Sequence, residues 1–282
     1  MAKLSKDLID NTQELISHDE LKNLTDFIRN VHGFDFSDYS VASLKRRVTR
    51  IMQLQKLTLF DLRTLLTNDI DYFESFLIEV TVNVTEMFRD PSFYKSLITN
   101  VIPYLQSYQR IKVWNAGCST GEELYSFAIL FAEQKLYERS FFYGTDINSD
   151  VLEFAKNGIY DLQKMKQYSE NYQKSGAVNT LSDYYSARYG AASINHSLKK
   201  NVLFSAHNLA SDGVFNEFQL ISCRNVLIYF NNSLQEKVID LFYKSLANFG
   251  FLCLGSKETL RSSEIGRFKI IDQKNNIYQK IA

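Results

Sequence analysis

The sequence predicts an all-α N-terminal segment followed by an α/β domain with a mostly parallel sheet and helices on both faces. Three observations lead there. Apolar residues recur at helical spacing from residue 5 to about 78, with no strand signal. After about residue 110, short strand-like apolar runs alternate with helical ones. The first of these runs ends in a glycine-containing turn, Gly117-Cys118-Ser119-Thr120-Gly121, that opens a helix.

In the N-terminal segment the helical spacing is carried by Leu21, Leu24, Phe27 and Ile28, then by Leu54, Leu57, Leu62, Leu65 and Leu66. Gly33 and Ser37-Asp38 interrupt the pattern and mark a helix junction. The strand candidates are Lys112–Ala116, Phe141–Asp146, 202–206, 218–222 and 251–255. Helices are expected over Glu122–Gln134, Val151–Lys156 and 232–248. The polar stretch from about 162 to 200 fits this alternation poorly and reads as an insertion holding a helix and a small hairpin. The expected domains are 1–78, a linker over 79–109, and 110–282.

The composition narrows the classes of function. With 32 basic and 32 acidic residues, the chain has no global attraction to nucleic acid or to an anionic membrane. No stretch of about 18 apolar residues occurs and the first residues lack a signal-peptide core, so a cytoplasmic protein is expected. Cys118, Cys223 and Cys253 are odd in number and far apart, which argues against a disulfide framework. The four histidines are scattered without a CxxC companion, so no metal site is expected.

The glycine turn and the helix start that follows it offer free N–H groups and a close backbone approach to an anionic ligand. Phosphate is disfavoured, because no lysine follows Gly121 and Glu122-Glu123 do. Carboxylates there suit the sulfonium and ammonium of S-adenosylmethionine, although acidic residues also favour a helix N-terminus for dipole reasons alone. Asp146 ends the second strand candidate, 29 residues after Gly117, where an acid accepts from ribose hydroxyls or, alternatively, caps a helix. Asn208-Leu209 and Arg224-Asn225 follow later strand candidates, where polar groups meet a ligand edge. Thr85 and Arg89, between the two parts, are four apart and share a face if the segment is helical, and Tyr229 follows Asn225 by four residues, an aromatic core residue or one whose hydroxyl faces a ligand. Lys45, Arg46, Arg47 and Arg50 form the clearest basic patch of a neutral chain; it reads as solvated surface or as a dock for an acidic helix.

Taken together, Asn83–Arg89, Ala116–Glu123, Gly144–Asn148, His207–Leu209 and Cys223–Phe230 resemble the CheR family of protein-glutamate methyltransferases, in family order and over most of the chain. The basic run Leu44–Arg50 matches as well. The resemblance implies a Rossmann-like class I methyltransferase domain with a small β insertion, behind an all-α domain. It implies an S-adenosylmethionine pocket lined by Asn83, Thr85, Arg89, Gly117, Glu123, Asp146, Asn208, Leu209, Arg224 and Asn225. Arg89 and Tyr229 are then nearest the transferred methyl, and the basic helix faces an acidic helical segment of a chemoreceptor or sensor protein. A monomer is expected. Two departures stand out: Leu124 occupies the place of a family proline, and Tyr184–Leu209 is short beside the hairpin of members that tether to a receptor tail. A methyltransferase with another substrate and a non-catalytic S-adenosylmethionine-binding signalling module remain as alternatives.

Overall fold

The computed structural model describes residues 16–81, 85–261, 264 and 266–281. The chain divides into two compact units, Met1–Val82 with Tyr229–Asn231, and Asn83–Ile228 with Asn232–Ala282. Expected site residue Asn83 and the expected helical residues 5–15 lie outside the described residues.

The first unit contains α1 (His18–His32), α2 (Val41–Gln55), α3 (Leu59–Asn68) and α4 (Ile70–Thr81). Local chemistry sets the ends of these helices. Ser17 and Glu20 form a capping box at the start of α1, and Thr58 and Asp61 form one at the start of α3. Gly33 closes α1 in the left-handed conformation at φ 70°, donating its N–H to Arg29 O. The apolar faces meet in one core that includes Leu21, Leu24, Ile28, Leu44, Val48, Ile51, Leu62 and Leu66. Leu54, part of the helical pattern in the sequence, is 67% exposed on the outer face of α2. The returning segment joins this unit through Ser40 N–H to Tyr229 O (2.7 Å), Asn231 N–H to Asp38 O (2.9 Å) and an edge contact between Tyr39 and Phe230.

The second unit begins with α5 (Pro91–Asn100) and α6 (Ile102–Leu105). There follow β1 (Ile111–Ala116), α7 (Glu122–Glu133), β2 (Ser140–Asp146), α8 (Ser149–Asn157), β3 (Ile159–Asp161) and α9 (Lys164–Lys174). A hairpin, β4 (Tyr185–Arg188) and β5 (Ala191–Ile194), leads to β6 (Val202–Ala206), β7 (Phe218–Cys223) and α10 (Asn232–Ser245). The chain closes with β8 (Leu246–Leu254), β9 (Phe268–Asp272) and β10 (Ile277–Lys280). Seven strands form one sheet in the order β6-β2-β1-β7-β8-β10-β9. Its first five strands are parallel, and β10 runs antiparallel to both β8 and β9.

The chain winds outward from β1 through β2 to β6, then returns to β7 and β8 on the other side of β1. Because parallel crossovers are right-handed, this reversal puts α7 and α8 on one face and α10 on the other. It also opens a crevice between β1 and β7 at the carboxyl ends of the strands, the switch point where ligands of open α/β sheets bind. The expected Rossmann-like class I methyltransferase architecture with an all-α N-terminal domain is therefore present.

The segment read as an insertion holds α9 and the β4–β5 hairpin, with β3 completing a three-stranded sheet in the order β3-β5-β4. Tyr160, Met165, Tyr168 and Tyr172 anchor it in the main core. The helix expected over 232–248 ends at Ser245, because the buried Leu246 and Ala247 already belong to β8. Strands β9 and β10 are additions to the sequence expectation; their short runs of mixed polarity, without clean alternation, carry a weak strand signal.

Trp114, the single tryptophan, is fully buried; its Nε1–H donates to Thr145 Oγ1 at 2.8 Å and its ring meets Phe215, Phe218 and Phe242. Its fluorescence therefore reports on the sheet, and a red shift in urea is expected to mark unfolding of the second unit. Trp114→Phe removes volume and a buried donor, and is expected to cost about 1–3 kcal/mol, measured by urea denaturation followed by circular dichroism.

Candidate active site

The register of the sheet determines which loops meet. Ala116 lies beside Thr145, Asp146 beside Ala206, and Asn115 beside Ser222. The segments after β1, β2, β6 and β7 thus emerge along one edge of the sheet. They bring Gly117, Asp146, Asn208, Leu209, Arg224 and Asn225 to that edge.

The glycine turn is built for close approach. Gly117 has φ +73°, and a Cβ there would lie 2.5 Å from Val226 Cγ2, in the segment after β7. Gly121 has φ +89° and would place a Cβ 2.9 Å from Ala155 Cβ. Gly117 and Cys118 both donate their N–H to Thr145 O, at 2.8 and 2.9 Å. Tyr160 OH donates to Thr120 O at 2.8 Å and ties the turn to the small sheet. Four non-glycine residues near this edge, Phe88, Asp90, Ser119 and Asn225, take positive φ between 49° and 64°. Asn and Asp adopt that conformation readily, whereas Phe88 and Ser119 hold it at a cost that surrounding contacts must offset.

Asp146 accepts from Ser119 N–H at 2.9 Å through Oδ2 and from Asn148 N–H at 3.1 Å through Oδ1. The helix-capping alternative is settled locally: Asn148, not Asp146, caps α8, taking the N–H groups of Asp150 and Val151. Burial raises the carboxyl of Asp146 above the ordinary range, with the backbone donors opposing that rise. Each of its oxygens keeps a second acceptor position, one per hydroxyl of a ribose diol.

The paired glutamates part ways. Glu122 is 2% exposed and turns inward, where it accepts from Thr120 Oγ1 at 2.6 Å and Tyr168 OH at 3.4 Å. Burial raises its pKa, and it faces the insertion rather than the ligand edge. Glu123 accepts from Asn115 Nδ2 (2.9 Å) and Ser222 Oγ (2.6 Å) through Oε1, and from Arg224 Nη1 (2.8 Å) through Oε2. Of its roughly four acceptor positions, three serve the protein.

Arg224 departs most from its expected place. Its side chain is only 2% exposed, and it pairs with Glu123 at 2.8 Å and Asp90 at 2.7 Å. Its guanidinium lies 4.0 Å over the Phe93 ring and donates weakly to Arg89 O at 3.4 and 3.5 Å. It binds chain segments to one another, while its Nε is buried with no hydrogen-bond partner among the described residues.

Thr85, Arg89, Asn208 and Asn225 are half-buried and Leu209 is buried. Asn208 turns its side-chain oxygen to its own loop, accepting from Ala210 N–H at 2.9 Å. Tyr229 groups with the helical unit, where the Arg47 guanidinium lies 4.7 Å over its ring. The basic cluster therefore divides: Arg46 and Arg50 are exposed, whereas Lys45 and Arg47 are half-buried. Burial lowers the Arg47 pKa, and the nearby Tyr229 opposes that shift.

Sequence reading assigned no role to Asn115, Ser222 or Asp90. The first two are polar residues inside otherwise apolar strand runs, and a buried polar group requires a partner. That signal marks them as candidates, but only the fold shows that Glu123 is the partner they share.

These residues fit an adenosyl ligand. A carboxylate with open acceptor positions ends β2, and the turn beside it admits no Cβ at Gly117. Ser119 Oγ, Asn148 Nδ2 and His207 Nδ1 are buried near the same edge with no hydrogen-bond partner among the described residues. Among those residues no group of acidic, histidine or cysteine side chains could hold a metal, and no helix is long and apolar enough to cross a membrane.

Removing the Arg224 guanidinium leaves two carboxylates without their counter-charge. Arg224→Met is expected to destabilise the protein by about 3 kcal/mol, near the low end for a broken buried pair because Asp90 retains solvent contact. Arg224→Lys is expected to recover part of that loss. Urea titration of both variants checks the order.

Comparison with known proteins accords with this geometry. Residues 83–277 match the family described as CheR methyltransferase, SAM binding domain, and residues 19–81 match its all-alpha domain. The chain is 44% identical over 271 residues to a Pseudomonas putida protein that carries the name methyltransferase Cher3, covering 95% of this chain and 99% of that one. It is 30% identical over 232 residues to a chemotaxis protein methyltransferase of Listeria monocytogenes, covering 81% and 85% of the two chains. It is 28% identical over 270 residues to one of Borreliella burgdorferi, covering 88% and 91%. With both family domains matched in order over most of its length, the chain belongs to the CheR methyltransferases and carries their S-adenosylmethionine-binding domain.

Proposed function

We propose that the chain transfers a methyl group from S-adenosylmethionine to glutamate side chains of a chemoreceptor or another signalling protein, forming methyl esters. The observation that carries this reading is the pairing of the Gly117–Gly121 turn with Asp146 across neighbouring parallel strands, Ser119 N–H to Asp146 Oδ2 at 2.9 Å. The names borne by the Listeria and Borreliella relatives support chemotaxis as the setting.

The cofactor supplies an electrophilic methyl on a sulfonium. In this reading Asp146 holds the ribose hydroxyls, and the turn admits the amino-acid end past Gly117. Asn208, Leu209 and Asn225 bound the adenine side, and Thr85 and Arg89 close the pocket. Glu123 carries Arg224's positive charge on one oxygen and keeps one acceptor position for the cofactor. The attacking carboxylate is already ionised at neutral pH, so the reaction requires no general base. Catalysis then rests on alignment and exclusion of water. Arg89 orients the carboxylate. On α2, Arg46 and Arg50 are the exposed charges suited to an acidic substrate helix.

Labelled methyl transfer into a native lysate tests the reaction. Incorporation into protein that is released by mild base is expected, because an ester hydrolyses where an N-methyl group persists. Label that resists base, or none, removes the glutamate ester reading. Asp146→Ala is expected to weaken cofactor binding at least about tenfold, since each charge-assisted bond contributes roughly 1.5–3 kcal/mol. The raised pKa of Asp146 has a definite sign here. Protonation removes acceptor capacity, so affinity is expected to decline on acidification from a higher pH than an ordinary aspartate, near about 3.9, would cause. Calorimetry across pH, with the alanine variant showing no such decline, checks this. Reversing both Arg46 and Arg50 to Glu is expected to raise the protein-substrate KM and leave cofactor affinity unchanged, with the wild-type KM rising with salt. An unchanged KM returns these charges to plain surface.

A further inference from the structure

Glu258 lies four residues beyond the end of β8, and its side chain is buried, the residue being only 5% exposed. Its Oε2 accepts from Asn225 N–H at 2.8 Å and from Gly255 N–H at 2.6 Å. Its Oε1 accepts from Ile228 N–H at 3.3 Å. A buried carboxylate is tolerated only where its lone pairs find donors, and here three backbone N–H groups from two strand-end loops supply them. The neighbouring register, Cys223 beside Leu254 in parallel strands, places those loops side by side.

The loop that Glu258 gathers turns through a left-handed residue. Asn225 has φ 64°, a conformation that asparagine tolerates better than most L-residues, and its backbone N–H is held there by a carboxylate. Its N–H points at the Glu258 carboxylate, and Ile228 N–H of the same turn donates to it as well. Gly255 keeps the carboxylate close, because a Cβ there would lie 2.6 Å from Glu258 Oε2 and 2.7 Å from Asn225 N. Burial pushes the Glu258 carboxyl up, while hydrogen bonds from the Asn225 and Gly255 backbone pull it down.

We propose that Glu258 is a positioning residue for S-adenosylmethionine: its carboxylate fixes the Asn225–Ile228 turn, with Asn225 left-handed at its start, and the affinity of the pocket depends on that arrangement. The inference rests on the reading that the Asn225 turn borders the cofactor. Glu258 does not touch the ligand. It acts through the backbone that presents Asn225.

Calorimetric titration of the full chain with S-adenosylhomocysteine separates positioning from general structural support. The comparison uses wild type, Asn225→Ala, Glu258→Gln and Glu258→Asp. Glutamine replaces one acceptor oxygen with an NH2 group that opposes the backbone donors; aspartate keeps the charge but falls one methylene short. The expected result is a dissociation constant raised about tenfold in Glu258→Gln, with a binding stoichiometry still near one. Glu258→Asp is expected to lie between it and wild type, and it serves as the measured variant if Glu258→Gln does not fold. A merely structural role predicts the opposite split, a reduced stoichiometry at the wild-type dissociation constant, and that result overturns the proposal. Wild-type affinity in both Glu258 variants, with Asn225→Ala weakened, overturns it too and leaves the pocket reading standing. Failure of wild type to bind, or wild-type affinity in Asn225→Ala, removes the pocket reading and this inference with it.

Discussion

The ligand edge of the sheet depends on one buried cation. Arg224, at the end of β7, reaches Glu123 in the first turn of α7 and Asp90 at the start of α5. Three segments distant in sequence are joined by a guanidinium whose side chain is 2% exposed. A fixed planar fork suits this task, since it can serve two carboxylates and a carbonyl at once in a way that a single ammonium cannot. Desolvation alone would disfavour the charge, yet the two carboxylates raise the Arg224 pKa and hold it ionised.

Arg224 and Glu258 act on adjacent residues with opposite charges. The arginine draws its own side chain inward toward Glu123, while Glu258 takes the N–H of the next residue, Asn225. Between them the backbone after β7 turns into a left-handed residue without a glycine. The same pattern recurs on the first strand. There Asp146 takes the N–H of Ser119, another left-handed non-glycine residue, inside the glycine turn. Carboxylates accepting backbone N–H groups thus shape both loops that border the crevice. Strain held in this way belongs at a ligand edge, where a preformed loop spares the cost of ordering it on binding.

The helical unit uses a different device. Among the described residues α1 and α3 start with capping boxes at Ser17 and Thr58, and the helices share an apolar core. Within it α2 splits its basic residues by function: Arg47 turns onto the Tyr229 ring, while Arg46 and Arg50 remain exposed. A charge run on one helix thereby serves both packing and surface, and spacing alone does not show which arginine does which.

The sequence by itself determined the fold class, the order of the strands β1, β2, β6, β7 and β8 along the chain, and the identity of the family motifs. These are local properties: period of apolar residues, glycine and polar residues at strand ends, and short contiguous motifs. It also marked Gly117, where positive φ and close approach admit no side chain. The runs of β9 and β10, mixed in polarity without clean alternation, did not stand out, and the boundary between α10 and β8 turned on burial of Leu246 and Ala247. Only the tertiary structure decided which charges belong to one another. Glu122 and Glu123 are adjacent in sequence and differ in fate, because successive side chains on a helix project about 100° apart and one faces the insertion while the other faces the sheet edge. Glu258 carries no motif signal assigned from sequence, and its importance comes from a parallel register that sets two strand ends side by side. Long-range pairing of buried charges is a property of that register, so it becomes legible only once the sheet has formed.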